Sequence, residues 1–332
     1  MTVVSKTRLL ATLTSLKGLG EVEALITEKL VSEAPLLTEI GTYLLNLGGK
    51  RMRPVLTLMT AKAFGLKAPS PAIIQVAAGI ELIHMATLLH DDIIDKSPLR
   101  RHKESAYLKF GIDTTLLTGD FLLTRAFSLC AHLDTFTIEA TERACVYLTE
   151  GEILETPIYK EKHTKESSLL IARKKTASLF QLAALCGGHL AGNSNEVSSL
   201  LSDFGESLGI AFQILDDILD VTAAEDLLGK KSGMDLKERK PSIINVLWLM
   251  QGTPLSSRLL EPCAENEESF YAAAIEEIRG SSVIAEAQAL ASFYTGKARE
   301  SLKKAFSLAP HIDENACKDL LSLVDYTTSR TE

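Results

Sequence analysis

The stretch PAIIQVAAGIELIHMATLLHDDIID, Pro71 to Asp95, decides the fold. Its apolar residues recur at three- and four-residue spacings and leave no polar face, so it reads as a helix buried among other helices. It ends in three carboxylates: Asp91, Asp92 and Asp95. At 100° per residue, Asp91 and Asp95 share one stripe with Thr87, His84 and Ile80. A buried helix therefore carries one polar line.

The pattern returns in FGESLGIAFQILDDILDV, Phe204 to Val221, which ends in Asp216, Asp217 and Asp220. Asp216 and Asp220 share a stripe, with Gln213 beside it and Phe212, Gly209 and Gly205 further along. A glycine inside a helix costs roughly 1 kcal/mol against alanine, so the pair predicts either open space or close helix packing. Either D-D-x-x-D alone reads as a solvated helix end. Two copies, each closing an apolar helix, do not.

The rest of the 332-residue chain follows the same period. Helices are expected at 4–32, 36–47, 52–65, 71–95, 104–110, 112–133, 136–160, 165–188, 195–224, 241–251, 265–279, 283–308 and 313–328. No alternation of period two is sustained, and no Gly/Ser/Pro-rich linker divides the chain. The expected fold is all-α, one domain over residues 1–332. A hydrophobic fraction of 46% is enough for a large core. The net charge of −8 argues against nucleic acid as partner. Cys130, Cys145, Cys186, Cys263 and Cys317 form no paired motif, which predicts free thiols in a reducing cytoplasm. The N-terminal MTVVSKTRLLATLTSL lacks the features of a secretory signal. No apolar run reaches the ~20 residues of a membrane span.

Ionised carboxylates are costly to bury unpaired. Six of them need positive charge, which hard divalent cations supply; magnesium takes oxygen ligands and bridges carboxylates to phosphates. Basic segments adjoin both acidic helices. GGKRMRP brings Lys50, Arg51 and Arg53, and LRRHK brings Arg100 and Arg101. RKKTASLF brings Lys174 and Lys175; GKKSGMDLKERK brings Lys230, Lys231, Lys237, Arg239 and Lys240. Arginine forks and lysine point charges both suit phosphate.

In this order, GGKRMRP, LLHDDIID with LRR, GDFLLTRAF, EGEILE, KKTASLF, GIAFQILDDILD and GKKSGMDLKERK resemble the trans-isoprenyl diphosphate synthases, or polyprenyl synthetases, over roughly residues 40–250. The resemblance implies a bundle of antiparallel helices around a deep central cavity (the isoprenoid synthase fold) and a homodimer. It implies magnesium-dependent 1′–4 condensation of isopentenyl diphosphate with an allylic diphosphate. It implies three Mg2+ per site, with Mn2+ as a substitute. Asp91, Asp95 and Asp216 would hold the metals, with Asp92, Asp217 and Asp220 either completing their coordination or supporting the residues that do. Arg100, Lys175, Lys230 and Lys240 would hold the allylic diphosphate; Lys50, Arg51, His84 and Arg101 would hold isopentenyl diphosphate. Thr176 and Gln213 would line the place where the cation forms. His84 also reads as a satisfied core histidine, and Glu152 as an ordinary helix carboxylate.

In the family, the residues four and five before the first aspartate floor the cavity. Here Thr87 and Ala86 are small. With Gly205 and Gly209 opposite, this predicts repeated elongation to about C30–C45, against a shorter farnesyl or geranylgeranyl product. Three departures stand out. His102-Lys103-Glu104-Ser105 replaces the usual Gly-x-Pro-Thr; Glu155 replaces a glutamine; Glu238-Arg239-Lys240-Pro241-Ser242-Ile243-Ile244 replaces Glu-Gly-Lys-x-Thr-x-Pro. A terpene cyclase would pair one D-D-x-x-D with an Asn/Ser/Glu motif, and a head-to-head synthase would show D-x-x-x-D. A non-catalytic modulating subunit would lose metal ligands or the basic cluster. Transient membrane contact for release of a greasy product is consistent with the chemistry.

Overall fold

The computed structural model describes residues 16–223, 233–262 and 267–328. These are helical almost throughout: α1 (Leu19–Lys29), α2 (Pro35–Asn46), α3 (Met52–Ala63), α4 (Pro71–Ile94), α5 (Ala106–Phe110), α6 (Ile112–Cys130), α7 (Thr135–Leu154), α8 (Lys165–Ala172), α9 (Ser178–His189), α10 (Asn195–Thr222), α11 (Met234–Lys237), α12 (Ile243–Met250), α13 (Glu268–Gly280), α14 (Val283–Leu308) and α15 (Glu314–Thr328). The all-α expectation holds. The expected start of the first helix at residue 4 lies outside the described residues.

The starts obey capping chemistry. Ser70 accepts from the Ile73 amide, with Pro71 at the first position of α4. Ser194 caps α10, and Thr164 forms a reciprocal box with Ser167 at α8. The seventh helix ends at Leu154 rather than 160. Pro157 follows and disfavours helical backbone before it. Two further departures matter at the site. A π-helical turn, Arg173–Ala177, joins α8 to α9 where one continuous helix was expected. A two-residue antiparallel ladder, β1 (Leu99–Arg100) and β2 (Lys103–Glu104), follows α4. It is too short to show alternation in a sequence.

The middle of the molecule is α10, which packs along α14 and α9; α4 packs on α6 and α3. Apolar residues fall into two clusters. The first joins α1, α3, α4, α6, α9, α15 and the first half of α10. The second joins the last turns of α10 to α12, α13 and the start of α14. Helix α4 has the length and mean hydropathy (1.7) of a membrane span, yet 67% of that window is buried inside the protein. No disulfide forms among the described cysteines Cys130, Cys145, Cys186 and Cys317; Cys263 lies outside the described residues.

The two glycines of α10 serve close packing, not open space. A Cβ on Gly205 would overlap the Phe180 carbonyl oxygen, and one on Gly209 would lie 2.5 Å from the Ala177 Cα. The idea that they widen a product tunnel is therefore corrected. Because backbone cannot retreat as a side chain does, Gly205→Ala should destabilise the fold by about 2 kcal/mol or more, read as a lower urea midpoint at unchanged slope. A midpoint within error of the parent would contradict the packing role.

Candidate active site

The C-terminal ends of α4 and α10 open onto one cavity of about 760 Å3. From α4 and its C-cap it receives Glu81, His84, Thr87, Leu88, Asp91 and Asp95; from α10, Phe212, Gln213, Asp216, Asp217 and Asp220. The polar line read on α4 thus faces the cavity, except for Ile80, which is buried outside the cavity wall. Lys50, Arg51, Arg53, Arg100, Arg101, Lys175, Thr176 and Lys240 also line it. Lys230 lies outside the described residues.

The members of each acidic motif divide. Asp91, Asp95, Asp216 and Asp220 project one helical turn apart. Asp92 is 1% exposed and faces away from the cavity, where it accepts from Arg100 Nε at 3.0 Å and from Arg100 Nη2. Asp217 commits both oxygens to the protein: Gln213 Nε2 donates to one at 2.7 Å and the Ile243 amide to the other at 3.0 Å. Asp92 is expected either to touch the metals or to support the residues that do, and its bonds to Arg100 fit the supporting place. Asp92 is a strut that aims Arg100, and Asp217 ties α10 to the first turn of α12. Asp220 anchors as well, accepting from the Asp235 amide at 3.1 Å.

Lys175 and Lys240 sit among the carboxylates. Lys175 Nζ lies 2.7 Å from Glu152 and 2.5 Å from Glu155. Lys240 Nζ lies 2.7 Å from Asp95, 2.9 Å from Glu238 and 3.9 Å from Glu155. Burial opposes both charges, but Glu155, with Asp91 and Glu152 for Lys175 and with Asp95 and Glu238 for Lys240, raises both ammonium pKa values above the ordinary lysine range. Glu155 itself is held up by burial against the pull of both lysines.

The π turn places Lys175 and Thr176 together. Gly151 of α7 makes room for it, since a Cβ there would meet Lys175 Cγ at 2.7 Å. Thr176 Oγ1 donates to Gln213 Oε1 at 2.5 Å. With the Gln213–Asp217 bond, this fixes the Gln213 amide.

A second basic group faces α4 one to two turns earlier. Arg51 has left-handed backbone (φ 47) and donates to the Leu45 and Gly48 carbonyls and to Glu81. Lys50 reaches the Tyr326 hydroxyl at 3.4 Å. Gly49 must be glycine: φ is 139, and a Cβ would meet the Arg101 guanidinium at 2.9 Å. Burial and then the charges of Arg53, Arg101, Arg100 and Arg51 hold His84 well below the ordinary histidine range, so its imidazole is neutral. His84 is a cavity-wall residue rather than only a core one. Burial also lowers Arg53 to about 10. Glu81, the partner of Arg51, was not singled out from the sequence. A carboxylate one residue off the apolar stripe carries no signal until its arginine is found.

Two of the departures now have a physical account. His102 and Arg239 stand where glycine was expected, and both keep left-handed backbone, φ 64 and φ 55. With Arg101 (φ 52), His102 forms the two-residue turn between β1 and β2. Arg239 is fully buried, donates to Glu267 at 2.7 Å and to the Leu236 carbonyl, and lies over Phe270. These contacts offset the strain and lock the residue before Lys240. Ala86 is fully buried and absent from the cavity wall, so only Thr87 of the expected pair faces the cavity.

The donor set suits a hard cation. Asp91, Asp95 and Asp216 offer carboxylate oxygens, and oxygens of Asp95, Glu152 and Glu155 lie within 4.8 Å of one another.

The polyprenyl synthetase family matches residues 34–302. The chain is 39% identical over 251 residues to octaprenyl diphosphate synthase of Escherichia coli, covering 75% of this chain and 77% of that one. It is 35% identical over 244 residues to geranylgeranyl diphosphate synthase of Methanosarcina mazei, covering 71% and 75%. The polyprenyl synthase of Caulobacter crescentus, solved with calcium and isoprenyl diphosphate, superimposes with a TM-score of 0.87 at 32% identity over 98% of both chains. The helical fold and the paired acidic helices define an isoprenoid-synthase class of site. The chain belongs to the polyprenyl synthetase family.

Burial lifts the Asp91 carboxyl to about 7 against the pull of Lys175. The folded value exceeds the unfolded one, so the fold favours the protonated form and loses that advantage as pH rises to about 7. Without metal, Asp91→Asn should therefore be roughly 4 kcal/mol more stable than the parent at pH 8 and within about 0.5 kcal/mol of it at pH 4. Urea melts in EDTA read this directly; a destabilised variant at pH 8 would refute it.

Proposed function

We propose that the chain is an all-trans-polyprenyl diphosphate synthase that joins isopentenyl diphosphate to an allylic diphosphate. One observation carries the reading: the acidic ends of α4 and α10 face a single cavity, with Lys175 and Lys240 among their carboxylates and a second basic group alongside.

Asp91, Asp95 and Asp216 would hold magnesium, taken as three ions, which supplies charge neutralisation to the departing pyrophosphate. Lys175, Lys240 and Arg100 hold the allylic diphosphate, Arg100 being aimed by Asp92. Lys50, Arg51, Arg101 and the neutral His84 hold isopentenyl diphosphate. The allylic C1–O bond breaks, and the isopentenyl C4 bonds to C1. A proton then leaves the isopentenyl C2 for the pyrophosphate. Thr176 and Gln213 present oriented dipoles beside this centre, and the apolar wall at Leu88 and Phe212 excludes water.

One domain acting in the cytoplasm, as a homodimer, completes the proposal. Helix α6 supports the dimer by exposing Ile112, Leu116, Leu117 and Phe127. The product is placed at about C30–C45, supported by the small Thr87 in the cavity wall and by the octaprenyl relative.

Purified protein incubated with magnesium, labelled isopentenyl diphosphate and farnesyl diphosphate should yield chains beyond C20. Asp91→Ala and Asp216→Ala should each abolish incorporation. No incorporation with any allylic primer would refute the reading. Thr87→Phe should shorten the product, because its ring enters the cavity. Ala86→Phe should instead destabilise the fold by about 1–3 kcal/mol through overpacking, without the same product shift. Unchanged product length in Thr87→Phe would contradict the floor assignment.

A further inference from the structure

We propose that Glu155 is a built-in competitor of the allylic diphosphate: its carboxylate holds the position shared by Lys175 and Lys240 and sets how tightly they take an incoming diphosphate. This rests on the synthase reading of the site. Each lysine has carboxylates of its own, Glu152 for Lys175 and both Asp95 and Glu238 for Lys240. Among the described residues, Glu155 is the one carboxylate within ion-pair distance of both, the same oxygen lying 2.5 Å from one ammonium and 3.9 Å from the other.

Two ammonium groups held close repel each other, and a shared anion offsets that repulsion. A diphosphate oxygen seeks the same donors through the same charge-assisted hydrogen bonds. Glu155 therefore does two opposed things. It presets the lysines for an anion, and it must yield them, or share them, when the anion arrives. It stands at the C-terminal cap of α7 beside the π turn, so its position is set by backbone rather than by a mobile loop.

The charge can be removed without the shape. In Glu155→Gln, Lys175 keeps Glu152, and Lys240 keeps Asp95 and Glu238, so both ammonium groups stay placed while one negative charge leaves the diphosphate site. Inorganic pyrophosphate, titrated calorimetrically into the full-length protein without magnesium, should bind Glu155→Gln about tenfold more tightly than the parent. The KM for the allylic diphosphate should fall in step while that for isopentenyl diphosphate is unchanged, a split that general loosening would not produce. Glu155→Asp keeps the charge and should stay within a few-fold of the parent. Equal or weaker pyrophosphate binding by a Glu155→Gln protein with a parental melting curve would overturn the proposal. Tightening in Glu155→Asp equal to that in Glu155→Gln would overturn it too. If the folded parent takes no pyrophosphate even with magnesium, the synthase reading fails and this proposal with it. If the parent binds and elongates but Glu155→Gln does not tighten, only the proposal fails.

Discussion

Lys175 and Lys240 are two half-buried ammonium groups set among carboxylates from four stretches of chain: the ends of α4, α7 and α10 and the segment after α11. Charges in such a place are costly unless paired, and each ammonium has more than one carboxylate partner. The surrounding structure is arranged to keep them paired. Gly151 lets the π turn approach α7, the π turn presents Lys175, and the pairing with Glu267 clamps the buried Arg239, the residue before Lys240. The same arrangement is what a diphosphate with its cations would use, so the pocket's charge balance and its chemistry share one set of residues.

The two D-D-x-x-D motifs are similar in sequence and also in division of labour. In each, the first aspartate faces the cavity and the second is held by hydrogen bonds within the protein, Asp217 from the cavity wall and Asp92 from behind it. Asp92 orients Arg100, and Asp217 links Gln213 to the start of α12. A residue one position on is rotated about 100° round a helix, which carries Asp92 out of the cavity wall but leaves Asp217 within it. The motif thus places a ligand and the support for a neighbouring side chain in consecutive positions.

How far the site could be read from the chain depended on the range of the interactions. Helix α4 and its polar stripe were legible because burial and period are local properties, and so were the basic segments beside each acidic helix. Ala86 was misplaced because resemblance assigns a motif as a block, whereas the helix distributes its members around the axis; the same distribution turns Asp92 toward Arg100. Gly205 and Gly209 were legible as a demand for closeness or space; only the position of Phe180 and Ala177 decides between them. Glu81 and Glu155 take their meaning from partners 30 and 20 residues or more away. The π turn and the left-handed His102 and Arg239 depend on contacts that no local pattern announces.

The account's central claim is that the acidic ends of α4 and α10 act as one site. A double-mutant cycle on magnesium-dependent pyrophosphate binding, with Asp91→Asn, Asp216→Asn and both together, measures this most directly. If the two carboxylates serve a common anion through shared cations, each single change should weaken binding by most of the magnesium-dependent part. The double change should then be little worse than either. Strictly additive losses in proteins with intact folds would contradict the account, since they would mean that the two helices bind independently.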